Sequence, residues 1–397
     1  MLTGPCELMA ARLGGSHKHL TRRGRGAHRC PVEWTWQSAP ASRVGRQREL
    51  RSRLIATVTS ATIDPAAIDF TRPGKHHYRA AFHLDGSWGY SLVPITVING
   101  LRPAAYAAGV AVFGGTHGNE YEGQVAVKRL CHDLDAADLA GRVILMPQLS
   151  ERACAAHTRS APDDGVNMNR AFPGNARGSI SARIAHFVKQ RVFPYVQVVI
   201  DLHAGGREAS FPFCTSLHPM ADPARQEAAL AVARLFDTPF VYLYARSMAS
   251  GLLTDEAEEE GRIAIGGEFG FGEGTSVRGV AHAYEGVRNV LRYTGMLPGP
   301  ITRVDPERAA APRVVQAPDL ADYVPCPDDA IWEPVVMVGQ DVAVNQLLGR
   351  LHDFADHASA PVEVNAHRAG VVIAMHFGAV CRRGATLYVI AQDVASS

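Results

Sequence analysis

The sequence predicts an α/β fold: a mixed, largely parallel sheet flanked by helices, followed by a small C-terminal β-rich domain. Three observations point to it. Four short, nearly continuous apolar runs recur, GVAVFGG (Gly109–Gly115), GRVILMPQL (Gly141–Leu149), VQVVIDLH (Val196–His203) and GRIAIGGEF (Gly261–Phe269), and such runs mark strands buried on both faces. Helix-patterned segments lie between them, at Glu120–Leu134, Ser179–Val192, Pro223–Phe236 and Leu252–Glu260, an alternation that implies a parallel sheet with helices on its faces. Beyond about Gly299 the helical pattern gives way to short alternating runs, the pattern of small β structures.

Taken in order, the elements begin with a leader. Between Met1 and Ile55 stand ten Arg and one Lys against three Glu, a local net charge of +8, with no hydrophobic periodicity. Residues 1–56 therefore read as a disordered basic leader; an organelle transit peptide and an extended start both fit its composition, and it lacks the apolar core of a secretory signal. Next, HHYRAAFHLDGSWGYSLVPITVIN (His76–Asn99) offers two strand-like runs about Asp85-Gly86, a hairpin signal. The strand and helix alternation fills the rest of an α/β domain over residues 57–300. Pro-rich segments, PGP at Pro298–Pro300 and AAPRVVQAP at Ala310–Pro318, lead into IWEPVVMV, AVNQLLGRLH, APVEVNAHRAGVVIAMHF and GATLYVIAQ, read as a β-rich domain over residues 301–397.

Composition narrows the function classes. Of 397 residues 47% are hydrophobic and 20% charged, with a formal net charge of +1, so nothing global suggests nucleic acid or an anionic membrane as partner. The longest mostly apolar stretch, Ala104–Phe113, is far below the roughly 20 residues a membrane span needs. Seven scattered cysteines with no C-x-x-C pair argue against a disulfide framework and a thiolate metal site, and for a reducing compartment. The expectation is a soluble cytoplasmic protein.

The motifs lie where such a sheet places its ligands, beyond the carboxyl ends of the strands. GGTHGNEYEG (Gly114–Gly123) sets His117 three residues before Glu120. The spacing alone means little: 17 His and 39 acidic residues in 397 give about 1.7 such pairs by chance, and three occur, the others being His132 with Asp135 and His282 with Glu285. Only His117 directly follows a buried strand and a Gly-Gly turn. His203 ends the run VQVVIDLH, and two His with one Glu from neighbouring strand ends are the donor set of a catalytic zinc. Asp201 and the backbone at Gly205-Gly206 could orient its imidazole. Glu268, ending the next buried run, is placed to act as a base, with Glu273 and Glu285 as competitors. The long polar segment TRSAPDDGVNMNRAFPG (Thr158–Gly174) carries Arg159 and Arg170, whose planar forks suit a carboxylate or a developing oxyanion.

In this order along the chain, GGTHGNEYEG, NMNRAFPG, DLHAGG and GGEFG resemble the succinylglutamate desuccinylase and aspartoacylase family, zinc amidohydrolases related in fold to the M14 carboxypeptidases. The longer pattern, with TRSAPDDGVNMNRAFPG and a trailing β domain, is most similar to the branch containing N-acetyl-diaminobutyrate deacetylases. The resemblance runs from Thr57 to the C-terminus. It implies one zinc per subunit on His117, Glu120 and His203, with Glu268 as general base and later proton donor to the leaving amine. It implies Asn169 and Arg170 at the α-carboxylate of the substrate and Arg159 at the acyl carbonyl. Phe269 and Phe271 beside the base are expected to shape the acyl pocket. The implied activity is hydrolysis of the amide bond of a small-molecule N-acyl amino acid, releasing a short carboxylic acid and the free amino acid. A metallocarboxypeptidase acting on peptides is the rival among enzymes, and a zinc- or ligand-binding protein without catalysis the rival of another class. The sequence leaves the oligomeric state open, a homo-oligomer included.

Overall fold

A computed structural model describes residues 60–103 and 109–394; the basic leader lies outside the described residues. A short strand β1 (Ala61–Ile63) precedes the hairpin β2 (Gly74–His83) and β3 (Tyr90–Asn99). The hairpin is antiparallel, with Gly74 opposite Asn99 and His83 opposite Tyr90. Its turn falls at Asp85-Gly86, where Gly86 takes φ +66°, a backbone shape that suits glycine.

The buried runs become β4 (Gly109–Gly114), β5 (Arg142–Met146) and β6 (Val198–His203), followed by β7 (Ala209–Ser210), β8 (Cys214–Leu217), β9 (Phe240–Tyr244), β10 (Ile263–Glu268) and β11 (Arg313–Ala317). Helices α1 (Glu122–Asp133), α2 (Glu151–Ala156), α3 (Ile180–Phe187), α4 (Pro223–Arg234), α5 (Leu253–Glu259) and α6 (Val277–Tyr293) connect them. Three have side-chain caps: Ser179, Asp222 and Ser276 accept from the backbone N–H of Ala182, Ala224 and Gly279 at the starts of α3, α4 and α6, each satisfying a donor the helix leaves open.

β4 shows why its run is apolar throughout. Val110 and Val112 enter one core with Ala126, Val127 and Leu130 of α1, while Ala111 and Phe113 enter a second with Ile184 and Phe187 of α3. Along β6, Val198, Ile200 and Leu202 go to the first core and Val199 to the second. The period of two therefore puts Asp201 and His203 on the Val199 side. β4 runs parallel to β5 and β6, and β10 parallel to β6, so β4, β6 and β10 bring Gly114, His203 and Glu268 to the same edge.

Sequence and structure differ at several elements: β8 and β9 join the large sheet without a counterpart among the four buried runs. The helix expected over Ser179–Val192 keeps α-helical bonding only to Phe187, then widens to a π-turn over Val188–Val192 and tightens to a 3-10 turn at Phe193–Tyr195, where Pro194 has no N–H to donate. The 17-residue helix α6 has no counterpart in the sequence reading. Its buried face includes Gly279, His282, Gly286 and Asn289 beside Ala283, Val287, Val290 and Leu291, and a search for apolar side chains passes over the first four. A Cβ on Gly286 would lie 2.2 Å from the Phe236 ring, so that glycine is the condition for close helix packing. Finally, AAPRVVQAP contains β11, parallel to β9 and antiparallel to a C-terminal strand.

The C-terminal region supplies β12 (Tyr323–Pro325), β13 (Ala330–Pro334), β14 (Asp341–Val342), β15 (Leu347–His352), β16 (Val362–Asn365), β17 (Gly370–His376), β18 (Val380–Cys381) and β19 (Thr386–Asp393). β16, β15, β13 and β18 form a separate four-stranded sheet, closed over Trp332, Leu348, Leu351 and Tyr388. β19, β17 and β14 instead extend the large sheet, whose order is β1-β2-β3-β5-β4-β6-β10-β8-β9-β11-β19-β17-β14. β7 pairs with β17, Ser210 opposite Met375 and Ala209 opposite His376, which ties the loop after β6 to the C-terminal strands. Among the described residues no helix is long and apolar enough to cross a membrane.

Candidate active site

Three side chains converge just beyond the ends of β4 and β6. His117, Glu120 and His203 are all buried, and among the described residues they form the one group of three such side chains whose ligand atoms all lie within 4.8 Å of one another. Glu120 stands between the histidines: His117 Nδ1 is 2.7 Å from Oε1 and His203 Nδ1 2.9 Å from Oε2. The opposite ring nitrogens are held as well, His203 Nε2 by Asp201 Oδ2 at 2.7 Å and His117 Nε2 by Asn167 Oδ1 at 2.9 Å. Two imidazoles and a carboxylate, each imidazole steadied from behind, are a donor set that suits zinc or a similar divalent cation.

The turn that carries His117 and Glu120 depends on glycine. Gly115 takes φ +64°, and a Cβ on Gly118 would lie 2.0 Å from the backbone carbon of Ala153 in α2. We expect Gly118→Ala to destabilise the fold by about 2 kcal/mol, because backbone must move rather than a side-chain tip, and to weaken metal uptake through displacement of His117. Thermal unfolding and metal titration of the variant check this; wild-type values in both would show that the turn is not a constraint.

The electrostatics follow from burial and the carboxylates. Burial presses His203 toward neutrality, but Asp201 and then Glu120 outweigh it and hold the imidazole well above its usual pKa. Burial would raise Glu120, yet His117 and then His203 keep it well below the carboxylate range. His117, where burial prevails over Glu120, lies below its ordinary value. The two carboxylates beside His203 thus favour its protonated form, and a cation taking up its Nδ1 competes with that proton. Metal uptake at pH 7 is expected to release at least about one proton per site, read by calorimetry in buffers of different ionisation enthalpy. Uptake with no proton release would place the metal elsewhere.

The other expected residues reach the same space. A cavity of about 540 Å³ is lined by the three donors together with Arg159, Asn169, Arg170 and Glu268. Arg159 Nη1 lies 3.1 Å from Glu120 Oε1. The Asn169 amide is oriented by Leu253, whose backbone N–H donates to Oδ1 at 3.0 Å, and Arg170 Nη1 donates to the Asn169 carbonyl at 2.6 Å. Arg170 has no carboxylate partner among the described residues. Two neighbouring guanidinium groups, one of them unpaired, make an anion site. Glu268 Oε2 is buried with no hydrogen-bond partner, and burial, followed by the Glu120 charge, pushes its carboxyl from 4.5 up to about 8. The competing glutamates are engaged elsewhere: Glu273 with Arg207 at 2.5 Å, Glu285 with Arg292 and Arg288 on α6.

One expectation is corrected. Phe269 and Phe271 do not line the cavity. Phe269 is fully buried in the first core, its ring 5.7 Å from that of Phe236, while the half-exposed Phe271 packs against Phe377. The run IAIGGEF alternates, so Glu268 and Phe269 leave the sheet on opposite sides. The sequence reading also missed Asn167, which shares the NMNR segment and could have been found there. It missed Tyr242, Tyr244 and Tyr323, and the C-terminal Met375, His376 and Thr386, all lining the cavity without a local signal.

Comparison with known proteins identifies relatives of the chain. The model of the succinylglutamate desuccinylase/aspartoacylase catalytic domain matches residues 107–294. The N-alpha-acetyl-L-2,4-diaminobutyric acid deacetylase of Halomonas elongata is 34% identical over 337 residues, covering 83% of this chain and 95% of that protein. The chain therefore belongs to the succinylglutamate desuccinylase/aspartoacylase family. Within it, a solved member from Rhodobacter sphaeroides superposes with a TM-score of 0.77 at 31% identity, over 83% of this chain and 98% of that one. An ectoine utilization protein from Ruegeria pomeroyi, solved with product bound, does so with 0.76 at 31%, over 82% and 97%.

Proposed function

We propose that this protein is a zinc-dependent deacylase that hydrolyses the amide bond of a small N-acyl amino acid, of the N-acetyl-diaminobutyrate class. The observation that carries the reading is the opening of the His117–Glu120–His203 cluster and the unpartnered carboxyl of Glu268 onto one cavity. His117, Glu120 and His203 would hold the metal. The chemistry that zinc supplies at such a site is Lewis acidity, which polarises a carbonyl and acidifies water.

The side chains account for the rest. Arg170 and Asn169 bind the α-carboxylate and so fix the scissile amide against the donor cluster. Arg159 draws electron density from the acyl carbonyl and meets the developing oxyanion. Glu268 takes a proton from the attacking water as the oxygen bonds to the carbonyl carbon. It returns that proton to the nitrogen as the carbon–nitrogen bond breaks, so the products are a free amine and a carboxylic acid, which then ionises to the carboxylate. Asp201 and Asn167 keep the imidazoles in register throughout. The preference for a deacylase over a peptidase rests on the C-terminal strands, which contribute Met375, His376 and Thr386 to the cavity wall.

The test joins metal analysis to acid-release kinetics on N-acetyl-L-2,4-diaminobutyrate, other N-acyl amino acids and short peptides. The reading expects stoichiometric zinc and cleavage of N-acyl amino acids in preference to peptides. Absence of bound metal, or cleavage of peptides alone, would overturn it.

A further inference from the structure

The cavity contains a carboxylate to which the mechanism gives no task. Three glutamates line it among the described residues, Glu120, Glu208 and Glu268. Glu120 lies in the donor cluster and Glu268 is the base, which leaves Glu208. Its side chain is 48% exposed, and its charge partner among the described residues is Arg159, with Nη1 at 3.7 Å, beyond hydrogen-bonding range. No hydrogen bond to its carboxylate is formed among the described residues. Arg207, next in the chain, also lines the cavity and is paired with Glu273.

The backbone under Glu208, by contrast, is held in place. Its N–H and that of Ala209 both donate to the Gly205 carbonyl, at 3.1 and 3.0 Å, and its own carbonyl accepts from Phe377 N–H at 3.2 Å. The β7–β17 pairing continues the attachment. The backbone is thus fixed, and the half-exposed carboxylate it carries is separated from the donor cluster by one guanidinium, that of Arg159.

We infer that Glu208 is a specificity residue that binds a cationic side chain on the amine half of the substrate, an ammonium two or three bonds from the α-carbon. The inference rests on the deacylase reading above. Such a substrate brings a positive charge into a cavity that already contains Arg159, Arg170 and Arg207, and a carboxylate is the group that offsets it. Glu208 is the one outside the donor cluster and without a catalytic task, and only Arg159 pairs with it. The same charge repels an acidic side chain, so selection works against N-acyl aspartate and glutamate as well as for the ammonium.

The experiment compares N-acetyl-L-2,4-diaminobutyrate with N-acetyl-L-norvaline, a neutral molecule of nearly the same shape. Wild type is expected to favour the cationic substrate. In Glu208→Gln the ratio of the two kcat/KM values should fall about tenfold, the change residing in KM for the cationic substrate, whereas Glu208→Asp, which keeps the charge, should retain most of the preference. Melting temperatures of both variants identify a folding defect, and the aspartate variant carries the test if the glutamine one does not fold. An unchanged ratio in Glu208→Gln, or a wild type that hydrolyses N-acyl amino acids and prefers norvaline, overturns the role of Glu208 and leaves the deacylase reading standing. A wild type that hydrolyses neither substrate nor any other N-acyl amino acid overturns both.

Discussion

Replacing Glu268 by Gln is expected to lower kcat about 10³-fold while the protein keeps its metal. Gln matches the carboxylate in shape but cannot accept the proton of the attacking water, and Glu268 is not among the three donors that converge, so turnover and metal content separate. KM should change little, because the α-carboxylate is bound by other groups. Metal analysis beside steady-state kinetics checks this; a variant with near wild-type kcat would transfer the role of base to another group.

A second readout of the same variant comes from linkage. In the metal-free protein the Glu268 pKa is raised from 4.5 to about 8, so the folded state keeps a proton that the unfolded state has lost. The stability from this group is complete below about pH 4.5 and declines as the pH rises through about 8. Metal-free Glu268→Gln, which has no proton to lose, should therefore be more stable than wild type above pH 8 and closer to it in acid. Denaturation of both proteins at pH 5 and about pH 9 reads the crossover. A bound cation stabilises the ionised carboxylate and should shrink the difference.

Glu120→Gln should have the largest effect on the metal site: metal content below about a tenth of wild type and loss of measurable turnover. The reason lies in the donors that surround it. Oε1 accepts from His117 Nδ1 and from Arg159 Nη1, and Oε2 from His203 Nδ1 and from Ala204 N–H. Whichever way a glutamine amide is turned, its NH₂ group faces one histidine and one further donor. His203 also loses a carboxylate that holds its proton. The metal-free variant should be destabilised by about 3 kcal/mol, measured by denaturant unfolding. Wild-type metal affinity in Glu120→Gln would remove Glu120 from the ligand set.

Much of this architecture could be read from local pattern, and the particular elements show why. β4, β5, β6 and β10 are covered on both faces, so each had to be apolar at nearly every position. That makes them visible in a short window and locates their ends. His117, Glu120, His203 and Glu268 stand at or just beyond those ends, and Arg159, Asn169 and Arg170 lie in one long polar connection. All seven line one cavity. Strand direction and period two suffice to aim them, once neighbouring strands run parallel.

What local pattern could not determine depends on contacts between segments distant in the chain. α6 presents Gly279, His282, Gly286 and Asn289 on its buried face, and only the approach of Phe236 explains why a glycine is required there. Phe269 lies beside Glu268 in sequence yet belongs to the core, because the pleat sends neighbours to opposite faces of the sheet. Tyr323, Met375, His376 and Thr386 come to the cavity from a region whose own pattern concerns strand pairing, and Glu208 is held by a hydrogen bond from Phe377, 169 positions away in the chain. The sequence by itself determined the central strands, their carboxyl ends and the chemistry there, since burial on two faces leaves a local signature. The tertiary structure alone decided the wall of the pocket and the free carboxylate within it, since those depend on which distant segments pack together, and no window of neighbouring residues encodes that.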